Sequence, residues 1–246
     1  MTPRPTPYPL TKKNGSILIR RMIKLLREHG VELPLKKAAI AVSGGSDSMA
    51  LALLLCKYGR KIVAKENLLI LHINHGWRGE ESDGDEEYVR EFANSMNVGL
   101  RIHQLSLKSK IKGKSPELVA RNERKRIFQA LWAEGLPVFT AHQSDDLAET
   151  LLWRLCLGKF DDYSKGILVQ YKSEIRPLLS STKAELQSFL KEEGLTWRED
   201  RTNHDGILLR SKMRKKLMPH LVEVFPEAIG KMADYSLKKQ KEDSDS

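Results

Sequence analysis

Four short apolar runs, residues 38–42, 68–74, 100–107 and 137–141, are each followed by a stretch with helical spacing, at 49–58, 85–96, 116–134 and 144–156. Apolar runs of this length bounded by turn residues fit buried strands, and the stretches between them are long enough for crossover helices. Strand–helix alternation of this kind predicts an α/β fold: a Rossmann-like parallel sheet with helices on both faces. In such sheets ligands gather at the carboxyl ends of the strands. Three polar clusters fall there, at residues 43–48, 72–78 and 142–149.

A leading helix over 17–29 precedes the first strand, with Ile17, Leu18, Met22, Leu25 and Leu26 at helical spacing and Gly30 as its stop. After the fourth unit the pattern weakens into a loop over 158–173. A helix is then predicted over 182–193, opened by a capping box of Thr182 and Glu185 and stopped by Gly194. A further helix is expected to dock through Leu209, Met213, Leu217 and Leu221, and a last one to run over 227–239. The chain therefore divides into a disordered, proline-rich lead-in (1–15), a catalytic domain (16–205), a small basic helical extension (206–240) and a disordered tail (241–246). Ending soon after its last helix, it reads as a short form.

Composition removes several classes of protein. The most apolar run, 49–56, is cut off by Lys57, well short of the roughly 20 residues that span a bilayer. The N-terminus has prolines and no apolar core of a secretory signal. Cys56 and Cys156 are isolated in apolar helical patterns, which predicts buried free thiols and a reducing cytoplasm, and supplies neither a disulfide framework nor a zinc site. The net charge of +10 raises the odds of a polyanionic partner.

The turn Ser43, Gly44, Gly45, Ser46, Asp47 and Ser48 lies between the first strand and its helix. A glycine-rich turn there presents backbone N–H groups at a helix N-terminus, a ready phosphate site. The lysine of a Walker A loop is missing, and the dinucleotide GxGxxG pattern is not met. Asp47 is either a helix first-turn acid favoured by the dipole or a ligand for Mg²⁺, which prefers carboxylate and phosphate oxygens.

The hexad SGGxDS resembles the loop of the PP-loop ATP-pyrophosphatases, and later segments resemble one branch of them, the tRNA(Ile)-lysidine synthetases, over roughly residues 38–220. His72, Asn74, His75, Gly76, Arg78 and Gly79 are similar to that family's H-x-N-H-G-x-R-G, and Ala120, Arg121 and Arg124 to its A-R-x-x-R. Ala141, His142, Asp145, Asp146, Ala148, Glu149 and Thr150 resemble A-H-H-x-D-D-Q-A-E-T; Arg176-Pro177-Leu178-Leu179 and Trp197-x-x-Asp200-x-x-Asn203 follow in order. The chain departs from the pattern at Gln143 and Leu147, where the family has His and Gln. It departs again at Ser211, between Arg210 and Arg214, and over 159–172, which lacks a glycine-rich loop.

The resemblance implies adenylation of the C2 oxygen of cytidine 34 in a CAU anticodon by ATP. The ε-amine of free L-lysine would then displace AMP. It places Ser43, Gly44, Gly45, Ser46, Asp47, Ser48, His72, Asn74 and His75 at ATP, with Asp47 also toward Mg²⁺. The catalytic set would be Asp47, Arg121, His142, Asp146 and Glu149. Asp146 and Glu149, three residues apart on one helix face, suit a lysine ammonium, although acids at a helix start also complement the dipole. His142 or a carboxylate would accept the amine's proton.

Arg78, Arg124, Arg210, Lys212, Arg214, Lys215 and Lys216 are the expected tRNA contacts. A second basic cluster comprises Lys108, Lys110, Lys112 and Lys114, and Trp77 and Trp197 are candidates for base stacking. The partners implied are tRNA(Ile) and lysine, with no membrane; a homodimer is compatible with this reading. The competing readings are a tRNA thiolase, a small-molecule amidating synthetase, or a non-catalytic tRNA-binding homologue.

Overall fold

The computed structural model describes residues 14–74, 76, 80–105, 116–159, 165–198 and 212–242. In chain order the elements are α1 (Asn14–Glu28), β1 (Ala38–Ala41), α2 (Ser46–Tyr58), β2 (Leu68–Asn74), α3 (Glu80–Met96) and β3 (Gly99–Gln104). Then come α4 (Pro116–Ala133), β4 (Val138–Phe139), α5 (Ser144–Cys156), β5 (Gln170–Tyr171), β6 (Glu174–Ile175) and α6 (Lys183–Glu192). A π-helical turn (Met213–Leu217) leads into α7 (Met218–Val224), and α8 (Ala228–Glu242) follows.

The sheet order is β3-β2-β1-β4-β6-β5, parallel except for β5, which pairs antiparallel with β6. From β1 the chain first builds outward through β2 and β3, then returns to the other side through β4. The crevice between the carboxyl ends of β1 and β4 is the switch point where an open α/β sheet takes ligands. Successive residues of β1 face opposite cores. Ala38 and Ile40 join the larger core with α1, α2 and α6, while Ala39 joins Ile127, Phe128 and Leu131 of α4.

The most apolar stretch of sequence becomes α2, in which Met49, Leu51, Leu53 and Leu55 are all buried. A helix apolar on every side belongs in the protein interior. Among the described residues no helix is long and apolar enough to cross a membrane. The Arg21 guanidinium grips both oxygens of Glu185 at 2.9 and 3.0 Å, tying α1 to the start of α6.

Three expectations need correction. The 158–173 segment is not a plain loop, because Gln170 and Tyr171 form β5 in a hairpin with β6; two-residue strands are too short to show a period. Cys156 is exposed while Cys56 is buried, since the last turn of α5 runs past the core and leaves Leu155 and Leu157 exposed as well. Burial pushes the Cys56 thiol up to about 11.

The expected docking stripe also fails at Leu217, which is 45% exposed. The Met218 N–H bonds to the Met213 carbonyl across a π turn, so the extra residue brings Met218, not Leu217, under Met213. Leu209 and the rest of 206–211 lie outside the described residues. Farther on, α8 buries Ala233 and Leu237 in the main core, and Gln240 bonds the backbone of Lys165, Ile167 and Val169 at 2.6 to 3.0 Å.

Candidate functional site

The 43–48 turn is folded by its own hydroxyls. Ser48 Oγ donates to the Gly45 carbonyl at 3.0 Å and accepts from Ser43 N–H at 3.1 Å; Ser43 Oγ also lies 3.1 Å from it. Gly44 has φ +92, a conformation that suits glycine, and its carbonyl accepts from Arg198 N–H at 3.0 Å. Gly45, the N-cap of α2, offers no side-chain cap to the first amides of that helix, and its own N–H donates to Ser43 Oγ at 3.4 Å. Ser46 Oγ donates to Asp47 Oδ1 at 3.0 Å. Burial raises the Asp47 pKa, opposed first by the charge of Lys183.

Across the crevice, β4 leads into α5 through Thr140, whose Oγ1 lies 3.2 Å from His142 Nδ1. Gln143 is the N-cap of α5: its side chain accepts from Asp145 N–H at 2.6 Å while Asp146 Oδ2 accepts from Gln143 N–H at 3.2 Å. The departure at Gln143 thus has a defined structural use. Leu147, the second departure, is buried in the main core. Glu149 is buried and accepts from Arg214 Nε and Nη2 at 2.6 and 2.8 Å, and the same Nη2 reaches Asp146 Oδ1 at 3.1 Å.

Two chambers meet here. The first, about 670 Å³, is lined by every residue of the 43–48 turn except Gly44; the second, about 800 Å³, runs along α4, α5 and β6. Arg124, His142, Asp146 and Arg214 line both. Arg121 faces the second chamber only. In that chamber Arg176 is buried, bonded to Glu174 at 2.6 Å, and its Nε has no partner among the described residues.

Other expected residues stand elsewhere. His72 lies under the turn, its Nδ1 donating to the Val42 carbonyl at 2.8 Å, and it does not line the first chamber. Asn74 organises the bend after β2, accepting from Gly76 N–H at 2.9 Å and donating to Glu86 at 3.1 Å. Lys215 and Lys216 are exposed within the π turn, and Lys212 is exposed just before it. Arg214, expected among the RNA contacts, points its guanidinium at the α5 carboxylates Glu149 and Asp146. His75, Trp77, Arg78, Arg210 and the lysines of 108–114 lie outside the described residues.

Sequence reasoning passed over Lys183, Gln187 and Arg198, all lining the first chamber. Arg198 arrives through an ion pair with Asp85. The only local signals were the predicted cap before Lys183 and the tryptophan beside Arg198.

Residues 16–221 match the family model described as the PP-loop domain. The chain is 37% identical over 204 residues to the tRNA(Ile)-lysidine synthase of Exiguobacterium sibiricum, covering 81% of this chain and 47% of that protein. The tRNA(Ile)-lysidine synthase of Thermus thermophilus is 34% identical over 214 residues, 85% of this chain and 40% of its own length. The chain therefore spans less than half the length of these two relatives. Among solved structures, the U34-tRNA thiolase NcsA from Methanococcus maripaludis superposes with a TM-score of 0.74 at 19% identity, covering 94% of this chain and 81% of that one. At that identity the likeness concerns the fold. With the glycine turn at the β1/β4 switch point, these matches define the class: the chain belongs to the PP-loop family.

Proposed function

We propose that the chain carries out the ATP-dependent synthesis of lysidine on cytidine 34 of tRNA(Ile) with a CAU anticodon, using free L-lysine and releasing AMP and pyrophosphate. The observation that carries the reading is the junction of the two chambers. There the α5 residue Asp146 and its partner Arg214 stand between the phosphate-binding turn and the second space. Both relatives named above are tRNA(Ile)-lysidine synthases.

ATP would lie with its phosphates against the open N-terminus of α2. The cytidine C2 oxygen attacks the α-phosphorus and pyrophosphate leaves toward the 43–48 turn. Asp47 would be the carboxylate that holds Mg²⁺, which would offset charge on the departing phosphates. That donor set fits: Mg²⁺ is usually held by one or two carboxylates together with substrate phosphates, and among the described residues no cluster of three acidic, His or Cys groups is found.

The lysine ammonium would join Asp146 beside Arg214, and His142, which lines both chambers, would accept a proton from the amine. Attack of the neutral amine at C2 then expels AMP together with the former C2 oxygen. A thiolase reading is disfavoured by the cysteines: the chain has only two, Cys56 buried in α2 and Cys156 exposed on α5.

Incubating the protein with unmodified tRNA(Ile), Mg-ATP and labelled lysine tests the reading. Label should enter CAU tRNA and be lost when the anticodon cytidine is replaced by uridine. No label in the CAU tRNA would refute it.

A further inference from the structure

Away from the two chambers, the bend between α7 and α8 carries an exposed apolar pair. α7 ends at Val224, and Phe225 is followed by Pro226, which has no N–H with which to continue a helix. The Phe225 N–H donates to the Leu221 carbonyl at 2.8 Å, and the Phe225 carbonyl accepts from Ala228 N–H at 2.9 Å. The bend is therefore fixed, and α8 beyond it is anchored by Ala233 and Leu237 in the main core. Val224 and Phe225 are 67% and 61% exposed, with the exposed acids Glu223 and Glu227 on either side of them in the chain. Glu223 lies 3.4 Å from His220 and Glu227 lies 3.7 Å from Lys231, exposed pairs of a kind that contributes little.

A feature of opposite character lies on another part of the surface. A groove of about 750 Å³ runs between α1 and the 3₁₀ turn Gly59–Lys61, lined on its apolar side by Ile17, Ile23 and Tyr58. Arg20, Arg60 and Lys61 also line it, and all three are exposed. Among the described residues none of these cations has a carboxylate at ion-pair distance. Glu193, which accepts from the Tyr58 hydroxyl at 2.6 Å, is already paired with Lys57 at 2.7 Å. Apolar surface of this kind is stabilised by being covered, and a border of one charge sign selects a partner of the other.

We propose that the two features meet between copies of this chain: the Val224–Phe225 corner of one protomer seats in the α1 groove of the next, with Glu223 and Glu227 against Arg20, Arg60 and Lys61. The corner supplies apolar side chains where the groove is apolar and acids where its border is basic. Because the bend is already held by its own hydrogen bonds, little conformational freedom is lost when it docks. The contact joins two different patches, so it is heterologous: every protomer keeps a corner for one neighbour and a groove for another, and the assembly closes as a ring or continues as a chain. The surface is independent of the ATP-cleaving reading above.

Sedimentation velocity of the full chain over a concentration series tests the pairing. The mean mass should rise above that of the monomer as concentration increases. Phe225→Asp should weaken association by about thirtyfold or more, the scale of a lost interface anchor, and the double variant Arg60→Glu, Lys61→Glu should do the same by reversing the border. Both sites are exposed, so both proteins should keep nearly the melting temperature of the unaltered chain. Phe225→Asp retains an intact groove and the double variant an intact corner, so an equal mixture of the two should form a one-to-one pair and nothing larger. A chain that stays monomeric at its highest soluble concentration overturns the proposal, whether the groove is then open or covered by the chain's own residues 1–13 or by another protein. Association that neither variant weakens overturns it as well, as does a mixture of the two variants that stays monomeric.

Discussion

Three helix N-termini, those of α2, α5 and α6, converge on the first chamber, and they are finished in two different ways. α5 and α6 are closed by capping boxes: Gln143 with Asp146, and Thr182 with Glu185. α2 has Gly45 at its N-cap and no side-chain hydrogen bond. Neither backbone nor space demands that glycine. Its φ of −74 and ψ of 159 suit any residue, and an added Cβ would come no nearer to a neighbour than 3.6 Å from Ser43 Oγ. The α5 and α6 ends satisfy their own amides, whereas the α2 end at the 43–48 turn has no side-chain cap among the described residues, the condition under which a helix start can bind an anion.

The largest expected effect comes from disarming the open end. Asp47→Asn should lower pyrophosphate release by a factor on the order of 100 or more at an unchanged melting temperature, measured as label released from ATP. Closing the open end is the sharper test of the comparison. Gly45→Asp supplies the missing cap, which should raise stability by a few tenths of a kcal/mol, roughly the difference between glycine and a better N-cap residue. ATP affinity should fall about tenfold as the new carboxylate occupies the amides and repels phosphate. Calorimetric binding and thermal melts on the same variant check both signs.

How much of this was legible in the sequence depended on distance along the chain. The β–α alternation, the turn at 43–48 and the Thr182–Glu185 box are local patterns, and each appears in the structure where its spacing put it. The engagement of Glu149 by Arg214 joins residues 65 apart, and no local pattern carries it. Lys183 was hidden for the same reason, because its place in the chamber depends on how α6 is tied to α5. Gln143 looked like a loss relative to the family's His, yet its side chain caps a helix. The π turn at Met213–Leu217 shifted an apolar stripe by one residue, a change that period-counting does not detect.

Smaller effects are expected at the closed ends. Thr182→Ala should cost about 1 kcal/mol, a drop of roughly 2–4 °C in melting temperature for a protein of this size, with AMP affinity nearly unchanged.

The smallest effect concerns pH. Burial works to raise the pKa of Glu185, but the Arg21 guanidinium and the Thr182 N–H outweigh it and hold the carboxyl below its ordinary range. A depressed folded pKa gives stability that is present above the unfolded group's range and is lost as pH falls through the folded value. Glu185→Gln should therefore melt below the unaltered protein at neutral pH. The gap should narrow as pH falls below the ordinary carboxylate range and close only beneath the depressed folded value.

The central claim, that the amides at the start of α2 are the phosphate site while the capped helix starts are not, is tested most directly by amide NMR during titration with pyrophosphate and Mg²⁺. The account predicts large, saturable shifts at the amides of Gly45, Ser46 and Asp47, with the capped amide of Glu185 nearly still. Shifts at Glu185 with Gly45, Ser46 and Asp47 unmoved would contradict it.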